Sequence, residues 1–237
     1  MKFDLDSYRK ELEGKSAREI CAWSVETFEK PNVILASSMS LEDQVLTDML
    51  SEVSPGSRVF ILDTGRHFEA TYDTLHRSMS YFNVKYEILE PDAKEVSEMI
   101  QDKGPNLFFE SVENRKLCCE IRKVRPLKKV LQTVSAWICG LRREQSITRK
   151  EINSIEWDSE NNIFKINPIF DWTLEAVWKY VKERGLPYNL LHDKGFPSIG
   201  CEPCTRAIEF GEDIRAGRWW WERPESRECG LHIGKKK

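Results

Sequence analysis

The cysteines are the residues whose type and spacing point most directly to chemistry. Cys118 and Cys119 are adjacent, and Cys201 and Cys204 form a C-x-x-C pair. Four thiolates in two pairs suit a tetrahedral zinc ion or an iron–sulfur cluster with one thiolate on each iron. Paired zinc ligands are usually separated by two to four residues, so the adjacent pair modestly favours a cluster. The alternative for Cys118 and Cys119 alone is two small buried side chains.

The remaining cysteines differ in their surroundings. Cys21 and Cys139 lie in an apolar helix and an apolar strand, which predicts core positions. Cys229 stands beside Gly230 and three residues before His232. Because the thiolate is the reactive form, and nearby Arg or His⁺ lowers a thiol pKa, Cys229 is a candidate nucleophile. The alternative is a surface thiol without a function.

Arginines follow a predicted strand and recur near the end of the sequence. Guanidinium groups in such positions suit phosphate or sulfate, whereas a charged helix face is the better interpretation for Lys128 and Lys129. An acidic protein that places arginines at a strand end is expected to bind a small anion. The candidates are Arg142, Arg143, Arg149, Arg215 and Arg218.

A serine-rich turn precedes a predicted helix at Leu41–Leu50. Ser37, Ser38 and Ser40 could add hydroxyl groups to the backbone N–H groups of a helix N-terminus, which bind phosphate. The alternative is that Ser40 only caps the helix.

Strands and helices alternate along the chain, which predicts an α/β fold with a parallel, twisted sheet flanked by helices. Ligands bind beyond the carboxyl ends of such strands, so we expect the loops 37–40, 63–66 and 141–149 to meet at one pocket. The predicted strands are Asn32–Ala36, Arg58–Leu62, Lys85–Leu89 and Ser135–Cys139. The predicted helices are 5–29 (divided at Gly14), Leu41–Leu50, Phe68–Ser78, Ala93–Asp102, Glu113–Leu131 (broken near Pro126) and Trp172–Arg184, followed by an irregular C-terminal segment.

Composition limits the class of protein. The chain has 237 residues, 40% apolar and 32% charged, with a net charge of −3. The length fits one globular domain, and the charge argues against a nucleic-acid binder. With no secretory signal and no apolar run long enough for a membrane span, we expect a cytoplasmic protein. Its seven cysteines are then better explained by metal or thiol chemistry than by disulfides.

Seven segments, in this order, together resemble the assimilatory APS/PAPS reductase family, whose substrates are adenylyl sulfate (APS) and its 3′-phosphorylated form (PAPS). They cover most of the chain beyond the N-terminal helical segment. The segments are SSMSLEDQVL (37–46), LDTGRHF (62–68), CCEIRKVRPL (118–127), GLRREQSITR (140–149), GCEPCTRAI (200–208), GRWWWE (217–222) and ECGLH (228–232).

The resemblance implies an adenine-nucleotide-binding fold related to the ATP pyrophosphatases. It also implies a helical segment at 1–30 and a catalytic domain, with its C-terminal active-site tail, at 31–237. The family branch with both cysteine pairs carries a [4Fe–4S] cluster and chiefly uses APS. By this resemblance the cluster ligands are Cys118, Cys119, Cys201 and Cys204.

The resemblance also implies the other roles. Cys229 matches the catalytic cysteine, and Ser40 stands where the family often has glycine. A thioredoxin or similar dithiol protein is the expected partner, and the oligomeric state, a homo-oligomer included, is left open. The expected substrate-binding residues are Ser37, Ser38, Ser40, Asp63, Gly65, Lys123, Arg142, Arg143, Arg149, Arg215, Arg218 and His232.

The mechanism we expect is attack of the Cys229 thiolate on the sulfur of APS, followed by release of sulfite by thioredoxin. Three alternatives remain. One is a PAPS-preferring or dual-specificity reductase, and another is a zinc-binding module without catalysis. The third is an ATP pyrophosphatase-type enzyme, for which the 37–43 segment lacks the expected glycines.

Overall fold

The computed structural model describes residues 5–145 and 149–223. The strands are β1 (Val33–Ser37), β2 (Arg58–Leu62), β3 (Tyr86–Leu89), β4 (Ala136–Ile138), β5 (Ile155–Asp158) and β6 (Ile163–Ile166). The helices are α1 (Leu5–Leu12), α2 (Ala17–Phe28), α3 (Leu41–Val53), α4 (Glu69–Phe82), α5 (Ala93–Lys103), α6 (Val112–Cys119), α7 (Arg125–Leu131) and α8 (Leu174–Arg184).

The strands form one sheet in the order β3-β2-β1-β4-β6-β5. β1 pairs in parallel with β2 and β4, and β4 pairs in parallel with β6. The predicted α/β class is confirmed, and the four predicted strands lie within a residue or so of the observed ones. The sequence interpretation missed β5 and β6, and β5 runs antiparallel to β6.

The chain divides into two compact units. Among the described residues, the first, here called the sheet unit, comprises 5–61, 73–87, 131–145 and 149–189; the second, the cysteine unit, comprises 62–72, 88–130 and 190–223. The division into a helical segment and one catalytic domain stays a prediction.

The sheet unit has an apolar core between the sheet and its helices. Ile20 of α2, Leu46 of α3 and Val177 of α8 are buried with Leu35 of β1. The predicted break in the first helical segment is present, because Gly14 has φ +74°, a conformation that suits glycine. Cys21 and Cys139 are buried, as their apolar segments predicted.

The helical stretch predicted for 113–131 is interrupted. A π-helical turn at Glu120–Val124 separates α6 from α7, and Pro126 follows at the start of α7. Proline lacks the N–H that an uninterrupted helix needs, so a break near it was expected. π-Helical turns are often found at functional sites, and this one comes directly after Cys118 and Cys119.

Candidate active site

The cysteine unit contains a cavity lined by both cysteine pairs. Cys118 and Cys119 reach it from the end of α6, and Cys201 and Cys204 reach it from a short helical turn at Glu202–Cys204. The cavity holds about 310 Å³ of space, part of it open to solvent. Two chain segments far apart in sequence therefore bring four sulfurs to one place.

Cations line this cavity beside the sulfurs. They are Arg66, Arg115, Arg122 and Lys123. Among the described residues that line the cavity, none is acidic. Such a wall favours an anionic occupant, such as a thiolate-ligated centre or a sulfate group.

Two hydrogen-bonding groups lie close to the sulfurs. The Thr64 hydroxyl is 3.3 Å from Cys201 Sγ. Arg122 donates from Nη1 to the Thr64 carbonyl at 2.7 Å. The Nε atom of Arg122 and the indole Nε1 of Trp219 are buried without an acceptor among the described residues. Buried donors normally have partners, so sulfur atoms of a bound centre would suit both.

Burial keeps two of the cavity cysteines, Cys118 and Cys204, protonated in the absence of a metal. Burial raises the pKa of Cys204 to about 12, and the neighbouring Cys201 adds to the effect. Burial also raises the pKa of Cys118, although the Arg122 guanidinium opposes this. A metal centre would have to displace these protons, which couples its binding to pH.

The loop after β2 is held by its own hydrogen bonds. Asp63 Oδ1 accepts from the Gly65 N–H at 2.8 Å and from the Tyr72 hydroxyl at 2.9 Å. Gly65 has φ +66°, which this tight turn requires of it. His67 Nε2 lies 2.9 Å from the Leu62 carbonyl oxygen, and burial lowers the pKa of His67.

Arg215 and Arg218 lie on the segment that follows the second cysteine pair. The Arg218 guanidinium packs against Gly200 so closely that a Cβ there would collide with it. Its Nη1 donates to the Ile199 carbonyl at 3.2 Å. The Arg215 N–H donates to Asp213 Oδ1 at 2.8 Å. Arg218 thus packs against the two residues that precede Cys201, Ile199 and Gly200.

The serine turn belongs to the sheet unit, where each serine makes a local hydrogen bond. Ser40 caps α3 by accepting from the Asp43 N–H at 3.4 Å. Ser38 donates to Asp43 Oδ2 from its N–H at 2.6 Å and from its hydroxyl at 2.7 Å. Ser37 Oγ accepts from the Met39 N–H at 3.3 Å. The capping alternative for Ser40 is therefore observed, and phosphate binding by this turn stays a prediction.

Asp43 is the acceptor at the centre of the turn. Burial raises the pKa of Asp43 to about 6, and the hydrogen bonds from Ser38 only partly offset that effect. Gly140, which follows β4, lies so close that a Cβ would be 2.7 Å from Asp43 Oδ1. The loops after β1 and β4 are thus in contact, whereas the loop at 63–66 belongs to the cysteine unit.

The two adjacent arginines after β4 have different environments. Arg142 is buried against Glu42, and its Nη1 also donates to the Trp172 carbonyl at 3.2 Å. Arg143 is exposed, with its guanidinium 4.7 Å from the ring centre of Phe170. Arg149 Nη1 donates to Gln145 Oε1. Of Arg142 and Arg143, Arg143 is the better placed to bind an anion from solvent, because it is exposed.

Two predicted residues, Cys229 and His232, lie outside the described residues. Their roles as nucleophile and substrate contact stay predictions.

Comparison with known proteins decides the family. The model of the phosphoadenosine phosphosulfate reductase domain matches residues 32–207. The chain belongs to this family. It is an oxidoreductase family, and the matched range includes all four cavity cysteines.

Relatives in this reductase family are similar over most of their length. The adenosine 5′-phosphosulfate reductase of Allochromatium vinosum is 44% identical over 86% of this chain and 80% of its own. That of Burkholderia cepacia is 47% identical over 85% of this chain and 80% of its own. The phosphoadenylyl-sulfate reductase of Candida auris, solved as a phosphate complex, is 29% identical, with a TM-score of 0.76 over 87% of this chain and 98% of that one.

More distant structures share the fold alone. The FMN adenylyltransferase of Candida glabrata, in complex with FAD and pyrophosphate, is 14% identical with a TM-score of 0.56. This agrees with the predicted relation to adenine-nucleotide-binding folds. No helix in the described part of this reductase is both long and apolar enough to cross a membrane.

The structure adds site residues that the sequence interpretation did not single out. Thr64 contacts Cys201, and Arg115 lines the cavity three residues before Cys118. The signal for Thr64 was its place inside the LDTGRHF segment. The signal for Arg115 was its spacing, because residues three apart share a helix face.

Proposed function

We propose that this chain reduces adenylyl sulfate to sulfite and AMP during sulfate assimilation, with electrons from thioredoxin or a similar dithiol protein. The observation that carries the proposal is the cavity lined by Cys118, Cys119, Cys201 and Cys204. It occurs in a chain whose relatives at 42–47% identity are named adenosine 5′-phosphosulfate reductases.

The cavity residues fit a [4Fe–4S] cluster, which we propose as the cofactor. A cluster takes one thiolate per iron, so its four ligands surround a volume. A zinc ion would need all four sulfurs to converge on one point, and the adjacent Cys118 and Cys119 lack the spacing of two to four residues that paired zinc ligands usually have. The cationic wall and the buried donors of Arg122 and Trp219 complement thiolate and sulfide. When bound, the cluster would supply an electrostatic centre beside the substrate's sulfate group.

We propose Cys229 as the nucleophile. Its thiolate attacks the sulfur of APS, the bond from that sulfur to the AMP oxygen breaks, and AMP leaves with the electron pair. Cys229 then carries a sulfonate. A thiolate of the dithiol protein attacks the Cys229 sulfur and releases sulfite, and the second thiol resolves the mixed disulfide, so the dithiol supplies the two electrons.

The remaining predicted residues would hold the nucleotide and its charge. Ser37, Ser38 and Ser40 precede α3, where N–H groups suit a phosphate. Among the basic residues, Arg143 and Lys123 are the side chains we expect to stabilise the leaving phosphate, because both border accessible space. The same proposal includes Asp63, Gly65, Arg142, Arg149, Arg215, Arg218 and His232.

A second candidate is reduction of PAPS, favoured by the Candida auris phosphoadenylyl-sulfate reductase at a TM-score of 0.76. The test is a comparison of kcat/KM for APS and PAPS with reduced thioredoxin, using anaerobically purified protein whose iron and sulfide are measured. We expect about four iron and four sulfide per chain and a higher kcat/KM for APS. A higher kcat/KM for PAPS would support the second candidate, a PAPS reductase. Active protein that holds one zinc ion would exclude the cluster.

A further inference from the structure

A buried ion pair joins two separate segments of the cysteine unit. Arg115 Nε and Nη2 donate to Glu222 Oε1 and Oε2, each at 2.8 Å. The two side chains are only 1% and 3% exposed. This bidentate geometry fixes both the distance and the orientation of the two partners.

Arg115 lies on the same helix as the first cysteine pair, Cys118 and Cys119. It lies on α6, three residues before Cys118, and it lines the same cavity. Because these residues share one helix, holding Arg115 in place also holds Cys118 and Cys119 in place.

Glu222 is connected to the second cysteine pair, Cys201 and Cys204, by backbone hydrogen bonds. The Glu222 N–H donates to the Trp219 carbonyl at 2.8 Å, and the Trp219 N–H donates to the Cys204 carbonyl at 3.1 Å. An antiparallel bridge between Thr205 and Arg218 reinforces this connection. Glu222 is thus attached through short backbone links to Cys204.

Trp219 completes the arrangement. The guanidinium carbons of Arg115 and Arg218 each lie 4.7 Å from the centre of its ring. Trp219 also has φ +45°, an uncommon conformation for a large side chain that the surroundings must hold. The contact places Arg115 in a defined position against the segment that follows Cys204.

We propose that Arg115 and Glu222 are a positioning pair that sets the register of Cys118 and Cys119 against Cys201 and Cys204, and so retains the cluster. The inference rests on the proposed [4Fe–4S] cofactor. A buried ion pair is often no more stabilising than apolar residues of similar size, so stability alone is a weak reason for it. Fixing a register is a role for which directional charged hydrogen bonds are well suited.

The test compares Glu222→Gln with Glu212→Gln. Glu212 offers a matched control, because it forms a bidentate pair with Arg206 at 2.7 and 2.8 Å on the same C-terminal segment, in a half-exposed position. The holoproteins are mixed anaerobically with a ferrous-iron chelator, and iron release is followed by absorbance. We expect release at least tenfold faster for Glu222→Gln, and within about twofold of wild type for Glu212→Gln.

A double variant separates register from folding. Arg115→Met combined with Glu222→Met replaces the pair with apolar side chains of similar length, so its apoprotein should melt within a few degrees of wild-type apoprotein. We still expect fast iron release, because flexible methionines do not fix an orientation. This variant decides the question if Glu222→Gln does not fold.

Two results would overturn the inference alone: equal release rates for Glu222→Gln and Glu212→Gln, or wild-type iron retention in the double variant. Wild-type protein without iron and sulfide would instead overturn the proposed cofactor, and this inference with it.

Discussion

Arg142 contacts a single carboxylate oxygen of Glu42 through two of its nitrogens, Nε at 2.9 Å and Nη2 at 2.8 Å. The Arg142 side chain is 2% exposed, and Gln145 Nε2 donates to the same oxygen at 3.0 Å. These contacts tie the loop after β4 to the first turn of α3. Arg142 is therefore positioned to shape the loop, while its neighbour Arg143 is left at the surface.

Substitution of Arg142 should consequently affect stability, whereas substitution of Arg143 should affect activity. Arg142→Met leaves the buried Glu42 without its cation, so we expect the free energy of unfolding to fall by about 3–5 kcal/mol. Arg143→Met should change it by less than about 1 kcal/mol. Arg143→Met should lower kcat/KM for APS by roughly ten- to a hundredfold, because a charged hydrogen bond to the substrate is lost. Urea unfolding and steady-state kinetics measure these effects, and equal destabilisation by both variants would contradict the assignment.

Asp43 should make stability depend on pH. Burial raises the pKa of Asp43 from the ordinary 3.8 to about 6, so the folded protein takes up this proton at a higher pH than the unfolded chain does. The contribution of Asp43 to stability is thus fully present below about pH 4 and is lost as the pH rises through 6. Between pH 7.5 and 4.5, wild type should gain about 1–3 kcal/mol relative to Asp43→Asn.

Asp92 offers a control of opposite sign. It is an exposed cap of α5, and hydrogen bonds from the N–H groups of Glu95 and Lys94 lower the pKa of Asp92. Its contribution should be lost as the pH falls. Relative to Asp92→Asn, wild type should therefore lose stability on acidification, and urea unfolding at the two pH values distinguishes the two aspartates.

The cysteines should divide into two groups by their effect on iron. Cys201→Ser should remove the cluster, the brown colour and the activity together, since one iron loses its ligand. Cys139→Ser, at a buried position of the sheet unit, should keep about four iron per chain, as one cluster requires. Iron and sulfide analysis with visible spectroscopy makes the comparison. Full iron content in Cys201→Ser would exclude that cysteine as a ligand.

The nucleophile can be trapped by withholding the reductant. Incubation with APS alone should release one AMP per active site and leave a sulfonate on Cys229, which mass spectrometry of the C-terminal peptide can locate. Reduced thioredoxin should then release sulfite. Cys229→Ser should keep its iron and bind APS but form no adduct. Turnover near the wild-type rate in this variant would refute the mechanism.

The parallel strands were predictable because their apolar runs are short and separated by helical patterns. β5 and β6 were missed although Ile155–Asp158 alternates apolar and polar residues and an asparagine-containing turn separates it from Ile163–Ile166. Each strand has only four residues, and β6 is buried at every position and so lacks the period-two pattern of a strand with one face in solvent. The antiparallel edge of the sheet therefore leaves only a weak signal in the sequence.

The site was predictable to the extent that its chemistry is local in sequence. Cys118, Cys119, Cys201 and Cys204 are recognisable from spacing. The different orientations of Arg142 and Arg143 were not predictable, because they depend on Glu42, about a hundred residues away. The same holds for Arg115, whose partner Glu222 lies equally far along the chain.

The cysteine unit is assembled from three stretches of chain, and its two cysteine pairs lie on different ones. During synthesis, Cys118 and Cys119 leave the ribosome on the order of ten seconds before Cys204 and Glu222, at ordinary elongation rates. Throughout this interval the first pair exists as adjacent thiols without the wall that later encloses it. Assembly of the proposed cluster is therefore expected to follow translation, and the nascent chain is the stage at which these thiols are most exposed to oxidants and to competing metal ions.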